Sequence, residues 1–156
     1  MSLVNFGELH KNCFRYLFEN CAIWDASKLT LPATTLAESC YEYMFNECQT
    51  MAYAPAILPA TKLANSCYNN MFSYCYNLIS APVIMAVDDA DVSNAMSYMF
   101  EYCQSLQELK IHLQYIFDYN NFASWVNGVS DNGDFYLPSN SDASSIKPSY
   151  WNMHYF

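Results

Sequence analysis

The stretch Leu36-Ala37-Glu38-Ser39-Cys40-Tyr41-Glu42-Tyr43-Met44-Phe45-Asn46-Glu47-Cys48 decides the fold, because 27 residues later it returns as Leu63-Ala64-Asn65-Ser66-Cys67-Tyr68-Asn69-Asn70-Met71-Phe72-Ser73-Tyr74-Cys75. Self-similarity at a fixed period is the signature of a repeat architecture. Two more worn copies flank this pair. Upstream, Leu9, Cys13, Phe14, Leu17, Phe18 and Cys21 keep the same register; downstream, Ala95, Met96, Met99, Phe100 and Cys103 follow after a shift of 28, one residue being inserted near Asp88 to Asp91.

Within a copy, Leu36, Cys40, Met44 and Cys48 recur every four residues with Tyr41 and Phe45 beside them, which predicts one apolar stripe on a helix. Thr35 and Glu38 fit a capping box at its start, although the next copy has Lys62 and Asn65 there. Extended segments follow, such as Met51 to Pro55 and Leu78 to Pro82, with the proline expected to end the strand. A unit this small cannot bury its apolar face alone, so neighbouring units are expected to share one core. The expectation is therefore an α/β chain: a solenoid of about four helix-strand repeats, at 9–29, 30–56, 57–83 and 84–111. A C-terminal β cap over 112–156 completes a single domain, 1–156. In the strands Met51, Ala54, Leu78, Ala81, Leu106 and Leu109 should face the core, leaving Tyr53, Ser80 and Glu108 as an outward column.

Beyond Leu113 the repeat register is lost. Asn132-Gly133 signals a turn, and Lys147 to Phe156 reads as a terminal strand. The first copy has only residues 1–8 before it, too few to cover a repeat face, so truncation or packing of that end on a partner is expected.

Composition bounds the function. Six Lys plus Arg against fifteen Asp plus Glu leave a net charge of −9, which repels nucleic acid and anionic lipid alike. No apolar run approaches the ~20 residues of a membrane helix, so no membrane insertion is expected. The N-terminus lacks the basic and apolar regions of a signal peptide. Charged residues make up 13% and aromatic residues 17%, so much of the surface must be uncharged and polar, which suits recognition.

The seven cysteines form two columns that the repeat itself accounts for: Cys13, Cys40 and Cys67, then Cys21, Cys48, Cys75 and Cys103. They read as buried apolar filler, with Phe18, Phe45, Phe72 and Phe100 as further core. Helical spacing places the two cysteines of a unit beyond disulfide reach. A metal site from His10, Cys13 and Cys21 lacks any Cys-x2-Cys pair, and no metal or cofactor is expected. Asp89 to Asn94 begins like a calcium loop, but Asn94 and Phe100 stand where glycine and glutamate are needed. The aspartates Asp88, Asp89 and Asp91 read instead as caps of the fourth helix. His10, His112 and His154 accompany no nucleophile motif, and three glycines allow no phosphate loop, so no catalytic residue is assigned and no enzyme is expected.

The block Leu-Pro-Ala-Thr-x-Leu-Ala-x-Ser-Cys-Tyr-x-x-Met-Phe-x-x-Cys, at Leu31 to Cys48 and Leu58 to Cys75, resembles the BspA-type leucine-rich repeats of bacterial surface proteins. The tail, with Trp125 to Val129, Gly133 to Tyr136 and Pro148 to Trp151, is similar to segments that close such arrays. The resemblance implies a leucine-rich-repeat-like solenoid, an extracellular or cell-surface location, and adhesion to a protein or cell-surface ligand. The fourth unit departs from it, with Ala86-Val87-Asp88-Asp89 for Pro-Ala-Thr and Ala95 for the first cysteine. The expected function is non-enzymatic protein interaction or adhesion, through Tyr53, Ser80 and Glu108 or through Tyr43, Asn70, Tyr74, Tyr98 and Tyr102, since tyrosine is enriched in recognition surfaces. The alternative is a structural or assembly component, for instance of a phage virion, that self-associates through its N-terminal end.

Overall fold

The computed structural model describes residues 9–86, 91–113, 115, 118–141 and 143–156. Its regular elements are short. Among the described residues five strands occur, β1 (Ile57–Leu58), β2 (Val83–Ile84), β3 (Glu108–Lys110), β4 (Asp134–Leu137) and β5 (Asn152–Tyr155), with 3-10 turns at Tyr119–Phe122 and Ala143–Ile146. β1 and β2 form one parallel sheet, and β3, β4 and β5 form another in that order.

The expected α/β, leucine-rich-repeat-like solenoid of helix-strand units is thereby corrected, since the described residues hold only short strands in two small parallel sheets. None of the described residues lies in an α-helix. In place of the expected helices the chain makes a succession of tight turns, at 11–20, 38–47, 65–74 and 95–102. The reason lies in the backbone. Ser39, Tyr43 and Glu47 have φ of 54°, 56° and 59°, and the equivalents in the other copies are likewise left-handed, so every fourth residue interrupts a right-handed helix. Each such residue is the third of a four-residue turn closed by a hydrogen bond, as in Cys40 N–H to Ala37 O and Met44 N–H to Tyr41 O, which is the pattern of type II turns.

The remaining amides point sideways. Ser39, Tyr41, Tyr43, Phe45 and Glu47 donate to the carbonyls of Asn65, Cys67, Asn69, Met71 and Ser73 in the next copy. In the second copy all ten amides from Ser39 to Cys48 are thus satisfied, alternately within the turn ribbon and across to its neighbour. An α-helix would have kept every interior amide to itself; this ribbon uses half of them to join the copies.

The core lies along the four-residue stripe. Cys40, Met44 and Cys48 are wholly buried, as are Phe45, Phe72 and Phe100. Phe18, Phe45, Phe72 and Phe100 stack face to face with centroids 5.4, 5.3 and 5.5 Å apart. Phe18 and Cys21 are only half buried and Cys13 is exposed, so the core assignment fails at Cys13 in the first copy, which has a neighbour on one side among the described residues.

Other expectations shift with the helix. The proposed capping box has no helix to cap: Thr35 pairs with Lys62 in a parallel bridge, and Glu38 binds the Lys11 ammonium at 2.6 Å. Asp91 is an exposed turn residue, while Asp88 and Asp89 lie outside the described residues. Proline does not end the extended stretch, since β1 and β2 begin two and one residues after Pro55 and Pro82. Residues 123–128, within the segment assigned to the cap, form another turn ribbon, with Ser124 and Gly128 left-handed and Ala123, Trp125 and Asn127 accepting from the fourth copy.

Candidate functional site

The turn ribbon places side chains in columns with a period of four, and two of these columns carry the tyrosines. Tyr16, Tyr43, Asn70 and Tyr98 occupy one, and Asn20, Glu47, Tyr74 and Tyr102 the next; all eight are left-handed. Tyr16 and Tyr43 stack at 5.0 Å, and Tyr74 and Tyr102 at 5.1 Å. Tyr76 meets Tyr74 edge-on at 6.2 Å. The Arg15 guanidinium lies 4.7 Å from the Tyr16 ring centre while its Nε bonds Glu42 at 2.8 Å. Tyr16, Tyr98 and Tyr102 are exposed, and Tyr43 and Tyr74 half buried. Burial raises the Tyr43 hydroxyl above its usual value, with the Glu42 carboxylate adding to it.

These residues share a physical oddity. A bulky side chain is seldom found with φ near +60°, where glycine and asparagine are at ease. Among the described residues, five of the thirteen non-glycine left-handed residues are tyrosine. The ladder of backbone hydrogen bonds holds them there.

The second group predicted from sequence also comes together. Tyr53 bridges to Ser80 and Ser80 to Glu108 in parallel register, with Tyr53 and Glu108 exposed and Ser80 half buried. Asp25 extends the row at one end, and Asp134 and Asn152 at the other through β3, β4 and β5. Beside it, Trp24 is exposed and meets Tyr53 edge-on at 5.3 Å. Over β4 and β5, His154 Nε2 contacts Asp134 Oδ1 at 2.7 Å, and the imidazole stacks on Tyr136 at 4.7 Å. That histidine contact, with a second bond from Asn152, holds the Asp134 carboxyl below its usual range. The His112 ring lies 4.6 Å from Phe156, whose other neighbour is the Lys110 ammonium at 4.7 Å.

Sequence reasoning missed Tyr16, Asp25 and Asp134. Each stands one copy away from a residue that was found: Tyr16 lies 27 before Tyr43, Asp25 28 before Tyr53, and Asp134 26 after Glu108. The changing offset hid the last two. The histidine contact had no local signal, because it joins two strands.

The cysteines are all free thiols. Those of the second column carry more than bulk: Cys48, Cys75 and Cys103 donate from Sγ to the carbonyls of Phe18, Phe45 and Phe72, at 3.0, 3.1 and 3.1 Å. Each thiol therefore reaches back to the preceding copy. Burial pushes the Cys48 thiol up to about 11 and the Cys67 thiol up to about 12. Such thiols are weak nucleophiles at neutral pH.

An open groove of about 580 Å³ lies at the other end of the array, lined by residues 124–131 and 145–150 together with Tyr119 and Phe122. Among the described residues no three or more of His, Cys, Asp and Glu gather in a way that could hold a metal ion, and no helix is long and apolar enough to cross a membrane. No protein-family model, curated protein or solved structure matches this chain, so its chemistry has to be read from its own residues.

Proposed function

We propose that this chain is a non-enzymatic recognition module that binds a protein or cell-surface ligand through its tyrosine columns. The observation that carries this reading is the left-handed conformation of Tyr16, Tyr43, Tyr74, Tyr98 and Tyr102. A non-glycine residue in that region costs on the order of 1–3 kcal/mol, while a stacked aromatic pair returns only about 0.5–1.5 kcal/mol. Folding alone would favour asparagine or glycine at these positions. The tyrosine side chains are then explained by contact with a partner, strain of this kind being concentrated at functional sites.

Tyrosine suits that role because it offers a large, stiff contact area with a hydroxyl at its tip, at low cost in side-chain entropy. Stacking between neighbouring copies fixes the rings further before any partner arrives. The resemblance of the repeat block to surface-protein repeats supports the same reading and favours a partner met at a cell surface.

The test is a binding screen of the intact chain against purified matrix proteins, glycans and whole bacterial cells, repeated with Tyr98→Asn and Tyr102→Asn. Both variants should fold at least as stably as the parent, since asparagine accepts the left-handed backbone, and both should lose most binding to any ligand found. Undiminished binding by the double variant would remove the tyrosine columns as the recognition surface. Tyr53→Ala, run beside them, reports on the sheet row instead.

A further inference from the structure

The two ends of the array differ in their backbone chemistry. Inside the molecule each turn ribbon accepts hydrogen bonds on one edge and donates them on the other: Tyr16, Phe18 and Asn20 donate to the carbonyls of Glu42, Met44 and Asn46, and Tyr98, Phe100 and Tyr102 to those of Ala123, Trp125 and Asn127. At the first ribbon the carbonyls of Arg15, Leu17 and Glu19, which are the counterparts of those acceptors, receive no hydrogen bond among the described residues. At the last ribbon the amides of Ser124, Val126 and Gly128, the counterparts of those donors, likewise make none. These three residues line the open groove, together with Ser145, Lys147 and Tyr150.

We propose that the donor edge at residues 124–128 of one copy takes the acceptor edge at residues 15–19 of a second copy, joining this chain head to tail. The internal ladder fixes the register: Ser124 N–H to Arg15 O, Val126 N–H to Leu17 O and Gly128 N–H to Glu19 O. Two like edges cannot pair, because carbonyls would face carbonyls or amides face amides. Association is therefore heterologous and does not close at a dimer.

Two further features favour a second copy as the occupant. Over residues 1–29 three cations and three carboxylates cancel, so the whole net charge of −9 falls on residues 30–156. Neutral end meeting acidic body is the pairing with least repulsion between identical chains. The acceptor end also exposes apolar surface, with Leu17 at 45% and Trp24 at 62% of full exposure, which burial against another molecule would remove from water. This association rests on backbone edges and not on the tyrosine columns. Tyr98→Asn should leave it unchanged, and either reading can fail while the other stands.

Sedimentation velocity of the full chain over a wide concentration range tests the idea. The weight-average mass should climb with concentration without levelling at a dimer. Ser145→Arg, an exposed position on the groove wall, should block the donor end, and Leu17→Asp the acceptor end, each leaving a monomer with an unchanged melting curve. Tyr150→Arg, at another exposed position on the groove wall, is the second donor-end variant should the first arginine be tolerated. Mixing Ser145→Arg with Leu17→Asp should then yield a one-to-one pair and nothing larger. A parent chain that stays monomeric throughout, a mass that levels at a dimer, or a mixture that forms no pair would each overturn the proposal.

Discussion

Asn94 holds φ of 54° on an exposed turn, a backbone that asparagine accepts readily. Asn94→Gly should therefore change stability by less than about 0.5 kcal/mol, because there is little strain to relieve and glycine adds unfolded-state entropy. Ser66→Val, placing a β-branched residue at φ 54°, should lower it by roughly 1–3 kcal/mol. Paired urea melts decide both. Ser73 is a different case: its buried hydroxyl has no hydrogen-bond partner among the described residues, so Ser73→Ala should be neutral or stabilising by up to about 1 kcal/mol. The thiols make the fold sensitive to alkali. Burial raises the Cys48 and Cys67 values to about 11 and 12, so the folded state holds these protons more tightly than the unfolded one. For an acid whose folded value is raised, stability is complete below the unfolded value, ~8.5, and is lost as pH rises toward the folded one. The urea midpoint should therefore be flat from neutral to about pH 8 and fall steadily between roughly pH 9 and 12. Replacing Cys48 and Cys67 by alanine should lessen that decline while lowering the plateau, the remainder coming from Cys40, Cys75 and Cys103, whose thiols burial also raises; an unchanged slope would show that Cys48 and Cys67 do not contribute.

At the scale of the element, the copy length and the buried positions were legible, and the conformation was not. Leu36, Cys40, Met44 and Cys48 repeat at intervals of four, and an α-helix turning ~100° per residue would carry the last of them about 120° away from the first. A helix tolerates one such interval; three in a row without drift mark a backbone that repeats every four residues, which the type II turn ribbon does. That arithmetic was available in the sequence. What was not available is the left-handed residue at every fourth place, since the residues used there include serine, tyrosine and glutamate as well as asparagine, and the usual sign, glycine, occurs among the described residues only at Gly128. The candidate site was half legible for the same reason: the rows Tyr43–Asn70–Tyr98 and Tyr53–Ser80–Glu108 follow from copy length alone, while Asp134 and His154 needed the pairing of β4 with β5. That pairing depends on Gly133. A Cβ there would lie 2.7 Å from the Gln107 carbonyl oxygen and 2.7 Å from the Trp151 ring, while the Gly133 carbonyl receives the Asn152 amide. Gly133→Ala should cost about 1–3 kcal/mol by overpacking. The loss should appear first as a shift in Trp151 fluorescence, with the far-ultraviolet signal of the ribbons retained to higher temperature. Simultaneous loss of both signals would mean that β5 is not a separable layer.

Across the whole molecule, stability runs through neighbouring copies. The Phe18–Phe45–Phe72–Phe100 stack, the thiol bonds from each copy to the one before, and the alternate amides from each copy to the one after all join adjacent copies only. A change in the middle therefore damages two junctions and a change at the end damages one. Phe72 is wholly buried between two rings, and Phe72→Ala should cost about 3–5 kcal/mol; Phe18, half buried with one ring against it, should cost less than half as much. Amide exchange should grade in the same direction. The amides of Ser66 to Cys75, bonded within their ribbon or across to the fourth copy, should exchange slowest, and those of Asn12 to Cys21 fastest among the first four ribbons, because the first ribbon opens by breaking a single junction. The two variants then separate this arrangement from a uniformly cooperative core. With junctions acting locally, Phe18→Ala should speed exchange in residues 12–21 and leave 66–75 nearly untouched, whereas Phe72→Ala should speed exchange in 66–75 and leave 12–21 nearly untouched. Equal acceleration everywhere in Phe18→Ala would show that the copies unfold as one unit and that the end of the array is no weaker than its middle.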